Sequence, residues 1–159
     1  MLKFRALTAA ELAELEIEFK QFLIVNELYD AEWRELAIKN PQKAQEFIDT
    51  FANIVLEKVY NQLPGLLHIG LDFITVFDFQ DEVWNLYHLQ TDTEGILSDC
   101  MPDDFITPIK NNWSQFHLQI GTKKSSEQKA QEVHTLICKG AVPLHPTILQ
   151  DFLKLLQSN

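Results

Sequence analysis

From Leu7 to Val59 the apolar residues recur at helical spacing. Thr8 and Glu11 form a T-x-x-E pair, in which each side chain satisfies the other's free backbone N–H at a helix start. Leu7 and Leu12 occupy the flanking staple positions. Leu12, Leu15, Phe19, Phe22 and Leu23 then make one apolar face of a first helix, and Ile17, Ile24 and Leu28 make a second. Asp30 is placed to cap a short helix running through Trp33 and Leu36. Asn40-Pro41 reads as the N-cap and first residue of a long helix, since proline's missing N–H costs nothing there. Ala44, Phe47, Ile48, Phe51, Ile54, Val55 and Val59 give that helix its inner stripe, and Pro64-Gly65 ends it. Such stripes predict helices packed in an αα arrangement.

The texture changes at Leu66. Phe73–Phe79 and Val83–Leu89 are rich in β-branched and aromatic residues, with Gln80-Asp81-Glu82 between them as a hairpin connection. Phe116–Ile120 alternates strictly, with Phe116, Leu118 and Ile120 on one side and His117 and Gln119 on the other. Between these strands, residues 91–112 carry Gly95, Pro102 and Pro108 and read as irregular, with Asp103 or Asp104 capping at most a short helix. Ser125 and Gln128 then form a second capping-box pair. Ala130, Val133 and Ile137 face inward, and Gly140 stops the helix. Pro146 opens a last helix that turns Ile148, Phe152 and Leu155 inward.

The fold class predicted is α+β. A helical part, 1–62, precedes a three- or four-stranded antiparallel meander with helices on one face and two C-terminal helices, 66–159, all within one domain. A chain of 159 residues buries enough surface to fold without a disulfide or metal.

Charge changes the picture. The net charge is −10, unevenly placed: residues 1–60 hold a net −4, residues 61–110 a net −8 and residues 111–159 a net +2. No lysine or arginine occurs from Asn61 to Ile109. Such a field repels nucleic acid and anionic lipid, so neither is an expected partner. Two cysteines outside any CxxC spacing, a glutamate-rich stretch where a signal peptide would be apolar, and no apolar run of ~20 residues together predict a cytoplasmic setting.

Candidate chemistry is sparse. His134 and Cys138 share a helix face as a potential ligand pair, but a zinc site needs three or four ligands and spacing supplies no others. Asp99, Asp103 and Asp104 cluster around Cys100 without an EF-hand register. His68, His88 and His117 fall on or beside strands, where two could meet Asp72 or Asp78 and do acid–base work. Gly121-Thr122-Lys123-Lys124-Ser125-Ser126 reads as a turn entering a helix, with Gly121, Lys123, Lys124 and Ser125 as anion-binding candidates. No residue is assigned as catalytic, cofactor-binding or metal-binding, and no cofactor is implied.

The blocks Lys3-Phe4-Arg5-Ala6-Leu7-Thr8 with Glu11-Leu12 and Glu18-Phe19, Asp30-Ala31-Glu32-Trp33 before Pro41, and Leu136-Ile137-Cys138-Lys139-Gly140-Ala141 resemble an uncharacterised family of small Bacteroidetes-type proteins. The resemblance spans most of the chain, is weakest between Pro64 and Asn112, and implies a bacterial cytoplasmic protein that stands alone. It brings no activity and no functional residues with it. The residues themselves favour a non-enzymatic interaction domain that uses Asp99, Asp103 and Asp104 against a basic protein partner, as an inhibitor or immunity-type protein would. The alternatives are a small enzyme or small-molecule or anion binder using the sheet face or the Gly121–Ser126 turn, and a homodimer through Ile17, Ile24 and Leu28.

Overall fold

A computed structural model describes all of residues 1–159 and resolves the chain into two compact units, Met1–Val59 and Tyr60–Asn159. The first unit holds helices α1 (Ala9–Glu14), α2 (Glu16–Val25), α3 (Asp30–Lys39) and most of α4 (Pro41–Gln62). The Thr8–Glu11 capping box forms with both of its hydrogen bonds, and Arg5 adds an ion pair to Glu11 at 2.8 Å. The single first helix expected from the pattern is interrupted at Leu15, whose φ/ψ of −99/22 leaves the helical region. The hydrogen-bond ladder nevertheless passes through it, from Leu15 N–H to the Glu11 carbonyl and from Phe19 N–H to the Leu15 carbonyl.

Asp30 does not cap α3. Tyr29 occupies the N-cap without a side-chain bond, and Asp30 is the first helical residue. Asn40 does cap α4, accepting from Lys43 N–H at 3.1 Å. The unit's interior is aromatic: Phe51 meets Phe19 at 5.1 Å and Phe22 at 5.5 Å, and Trp33 stands edge-on to Phe19 at 5.4 Å. The inner stripe of α4 runs through Ala44, Phe51, Ala52 and Leu56, whereas Ile54 and Val59, expected inward, are exposed.

The second unit is built on a five-stranded antiparallel sheet in the order β4-β3-β2-β1-β5, with β1 Gly65–Ile69, β2 Phe73–Asp78, β3 Val83–Thr91, β4 Phe116–Lys124 and β5 Val142–Pro143. The three expected strands are all present. The meander gains β1 on one side and the two-residue β5 beyond it. Between β3 and β4 lie α5 (Ile106–Asn111) and a 3-10 turn at Trp113–Gln115. Phe105, not an aspartate, holds the N-cap of α5.

Alternation divides the side chains between two faces. Leu67, Ile74, Val76 and Leu89 turn to one face and pack with Phe105, Ile109 and the inner residues of α7 (Pro146–Gln157), Leu149, Phe152 and Leu155. The opposite face is crossed by α6 (Lys129–Cys138), so the sheet carries helices on both faces, not on one. The Ser125/Gln128 capping box does not form. Gln128 is the N-cap without a side-chain bond, and the Ser126 hydroxyl accepts from its N–H instead. Gly140 does end α6, at a φ of 111° that a β-carbon would strain. No helix is long and apolar enough to cross a membrane.

Candidate functional site

The register between β2, β3 and β4 sets Phe77, Leu86 and Gly121 in one rung, with Trp84 opposite Lys123 in the next on the same face. Bulky side chains from β2 and β3 thus form an apolar floor, beside which β4 places Gly121 and Lys123. It extends past the end of β2, where Phe79 packs on Trp84 at 4.8 Å and on Phe77 at 6.2 Å. Gly121 contributes nothing above the backbone and leaves Leu86 uncovered. Gln131, Glu132, Thr135 and Leu136, on successive turns of α6, make the facing wall. The cleft between them has a volume of about 430 Å³. Ligand sites have this size and this make-up, with apolar walls and a few convergent polar groups.

The polar groups stand at its mouth. Lys123 Nζ pairs with Glu132 Oε2 at 2.6 Å and lies 5.5 Å from the centre of the Trp84 ring. The Lys123 hydrogen bond holds the Glu132 carboxyl below its ordinary value, with a smaller contribution from Ser126. Lys129 lies over the Phe79 ring and donates to the carbonyls of Asn61 and Leu63 just where α4 ends. Burial lowers its ammonium's pKa, as expected for a cation held against an apolar ring.

The sequence candidates fall in several places. Gly121, Lys123 and Lys124 are on β4, so the expected anion-binding turn is a strand. The chain leaves the sheet at Ser125, whose N–H donates to the Glu82 carbonyl. Gly121 and Lys123 line the cleft, while Lys124 turns to the other face. His68 and His88 do share a rung, with Thr75 between them, and His117 lies across from Gln90 on the same face. Thr75 Oγ1 is 2.9 Å from His88 Nδ1, and His88 Nε2 is 3.1 Å from Gln90 Oε1. Since a carboxamide oxygen only accepts, Nε2 carries the hydrogen.

No carboxylate joins the histidines. Asp78 is buried on the opposite face, and Asp72 lies outside the strands, exposed. Burial, with Asp81 adding to it, raises the Asp78 carboxyl.

Asp99, Asp103 and Asp104 are exposed in the segment before α5. Burial first, and then Asp104 and Asp99, push up the thiol of Cys100 between them. His134 Nε2 and Cys138 Sγ come within 3.5 Å, but no set of three or more His, Cys, Asp or Glu side chains converges on a point that would hold a metal. Ile17 and Ile24 are 70% and 49% exposed, and Leu28 is half-buried.

The cleft, with its floor and its α6 wall, does not follow from the sequence pattern. Its one visible trace was the aromatic pair Phe77-x-Phe79, continued after the hairpin by Trp84. Pairing these residues with Gly121 and Glu132 requires the register.

These features define an α+β protein whose sheet and sixth helix enclose an apolar, ligand-sized cleft with a charged mouth. The chain matches the model of a family of unknown function, DUF6495, over residues 1–157, and belongs to that family. No curated protein and no solved structure is significantly similar to it.

Proposed function

We infer that this is a binding protein that takes an apolar group into the cleft between β3–β4 and α6. The observation that carries the reading is the Phe77–Leu86–Gly121 rung, where a glycine faces a leucine on an otherwise bulky surface and leaves room above it. A small side chain at that one position converts a packed sheet face into a cavity. The Lys123–Glu132 pair over Trp84 supplies a fixed dipole at the mouth, suited to orienting a polar end. The reading is tested by titrating the protein with the fluorescent apolar anion anilinonaphthalene sulfonate. The wild type is expected to enhance its emission saturably at one site, and Gly121→Leu to abolish that enhancement. Equal enhancement by both would refute it.

A second reading has its own support. Asp99 and Asp104 both act on one thiol, in a stretch from Asn61 to Ile109 that contains no cation. That concentration of charge suits a basic protein partner, and Asp99, Asp103 and Asp104 are exposed to meet it. Ile17 and Ile24, exposed on α2, would serve a self-contact.

A further inference from the structure

The nine-residue strand β4 closes one side of the sheet and pairs only with β3, from Val83–Lys124 to Thr91–Phe116. Its outer side therefore presents unpaired backbone donors and acceptors, and every residue from Gln119 to Lys124 is exposed. Proteins blunt such edges with proline, bulges or charge. Here the register runs without a bulge, the strand contains no proline, and its lysines are confined to the last two positions. The same strand is also a wall of the apolar cleft, through Gly121, Thr122 and Lys123. An open edge and a cavity for a side chain thus lie side by side.

We propose that β4 is a strand-addition site for an extended peptide of another protein in which apolar residues alternate with acidic ones. The proposal rests on the cleft being a binding site. Added strands draw affinity from main-chain hydrogen bonds and specificity from alternate side chains. Successive residues of the added strand point to opposite faces. Those on the face of Gly121 and Lys123 reach the cleft over Leu86 and Trp84, which calls for apolar groups. Those on the other face pass Ile120, 59% exposed, and Lys124. Lys123 is already neutralised by Glu132, whereas Lys124 makes no ion pair, so a carboxylate there finds a waiting cation. Residues 111–159 are also the one third of the chain with a positive net charge. A second copy of β4 fits less well. Antiparallel pairing centred on Ile120 sets Lys124 across from Phe116 and Lys123 across from His117 and supplies no acid to either.

The test uses capped eight-residue peptides of alternating leucine and glutamate, a twin with lysine in place of glutamate, and versions N-methylated on one or the other set of alternate amides. Affinity is read by fluorescence anisotropy, and protection of β4 amides by hydrogen exchange. The glutamate peptide is expected to bind about tenfold or more tightly than the lysine twin, with Lys124→Glu reversing the order. One N-methylated set should lose binding and the other retain it, and alternate β4 amides should gain protection. Indifference to the N-methyl pattern, or equal affinity for the two twins, overturns the proposal. Absence of peptide binding while anilinonaphthalene sulfonate still occupies the cleft overturns strand addition alone, and absence of both overturns the cleft reading as well.

Discussion

Gly121 stands directly across from Leu86 in the β3–β4 ladder, and a β-carbon added to it would lie 3.9 Å from the Leu86 β-carbon, ordinary contact distance. The position thus tolerates a side chain sterically, and its φ does not demand glycine. Glycine inside a strand weakens it and leaves space for something else to approach. Gly121→Leu is expected to fill the cleft while leaving the fold unchanged or slightly more stable, by up to about 1 kcal/mol. Thermal unfolding beside ligand titration checks this. A large loss of stability would mean that Gly121 serves the backbone rather than the cavity.

The Lys123–Glu132 pair has a pH signature. The Glu132 carboxyl lies below its ordinary value in the folded protein, so it binds its proton less readily folded than unfolded. Its stabilisation is present above the ordinary glutamate value and is lost as pH falls through the folded value. Both side chains are more than a third exposed, which limits the pair to about 1 kcal/mol or less. The stability gap between wild type and Glu132→Gln is expected to be constant near neutrality and to close in acid. A gap that widens in acid would contradict the assignment.

Asp78 has the opposite sign. Burial raises its folded value, so the folded protein favours the protonated form. Its contribution is most favourable below the ordinary aspartate value and is lost as pH rises from there through the raised folded value. Asp78→Asn keeps an oxygen to accept the Gln80 N–H, now at 3.0 Å, without the buried charge. This variant is expected to be more stable than wild type at neutral pH, with the advantage vanishing in acid. Equilibrium denaturation across that range decides it.

In the first unit, Phe51 is buried and touches both Phe19 and Phe22. Phe51→Ala is expected to cost about 3–5 kcal/mol through lost transfer energy and the cavity left behind. Denaturant titration monitored by circular dichroism measures it, and a cost under 1 kcal/mol would place Phe51 outside the core.

Local signals in the chain were legible where one residue type has one structural use. The Thr8–Glu11 box, the Asn40 cap before Pro41, the Gly140 stop and Pro146 at the start of α7 all stand as the sequence implies. Capping reads badly where an acid or hydroxyl has other uses. Asp30 and Ser125 lie one and three residues away from the caps observed, Tyr29 and Gln128. Strand β5 was invisible because two residues carry no periodicity, and β1 because its side chains serve both faces within five residues. The site was legible only in fragments. The segment from Gly121 to Ser126 reads as an anion-binding turn, but the β3–β4 ladder continues to Lys124, and Gly121 and Lys123 line the cleft from a strand. Glu132, nine residues beyond Lys123, joins it only because α6 folds back over the sheet. The histidines share a face, yet pleating sends Asp78 to the other one, which no spacing rule announced.

The most direct test of the central claim is a backbone amide shift map of the labelled protein titrated with anilinonaphthalene sulfonate. Binding in the cleft is expected to move the amides of Trp84, Leu86, Gly121, Glu132 and Thr135 together along one saturation curve, with the Leu71–Asp72 and Thr91–Gly95 hollow unmoved. Shifts confined to that second hollow or to the Ile17–Ile24 face, with the cleft amides silent, would contradict it.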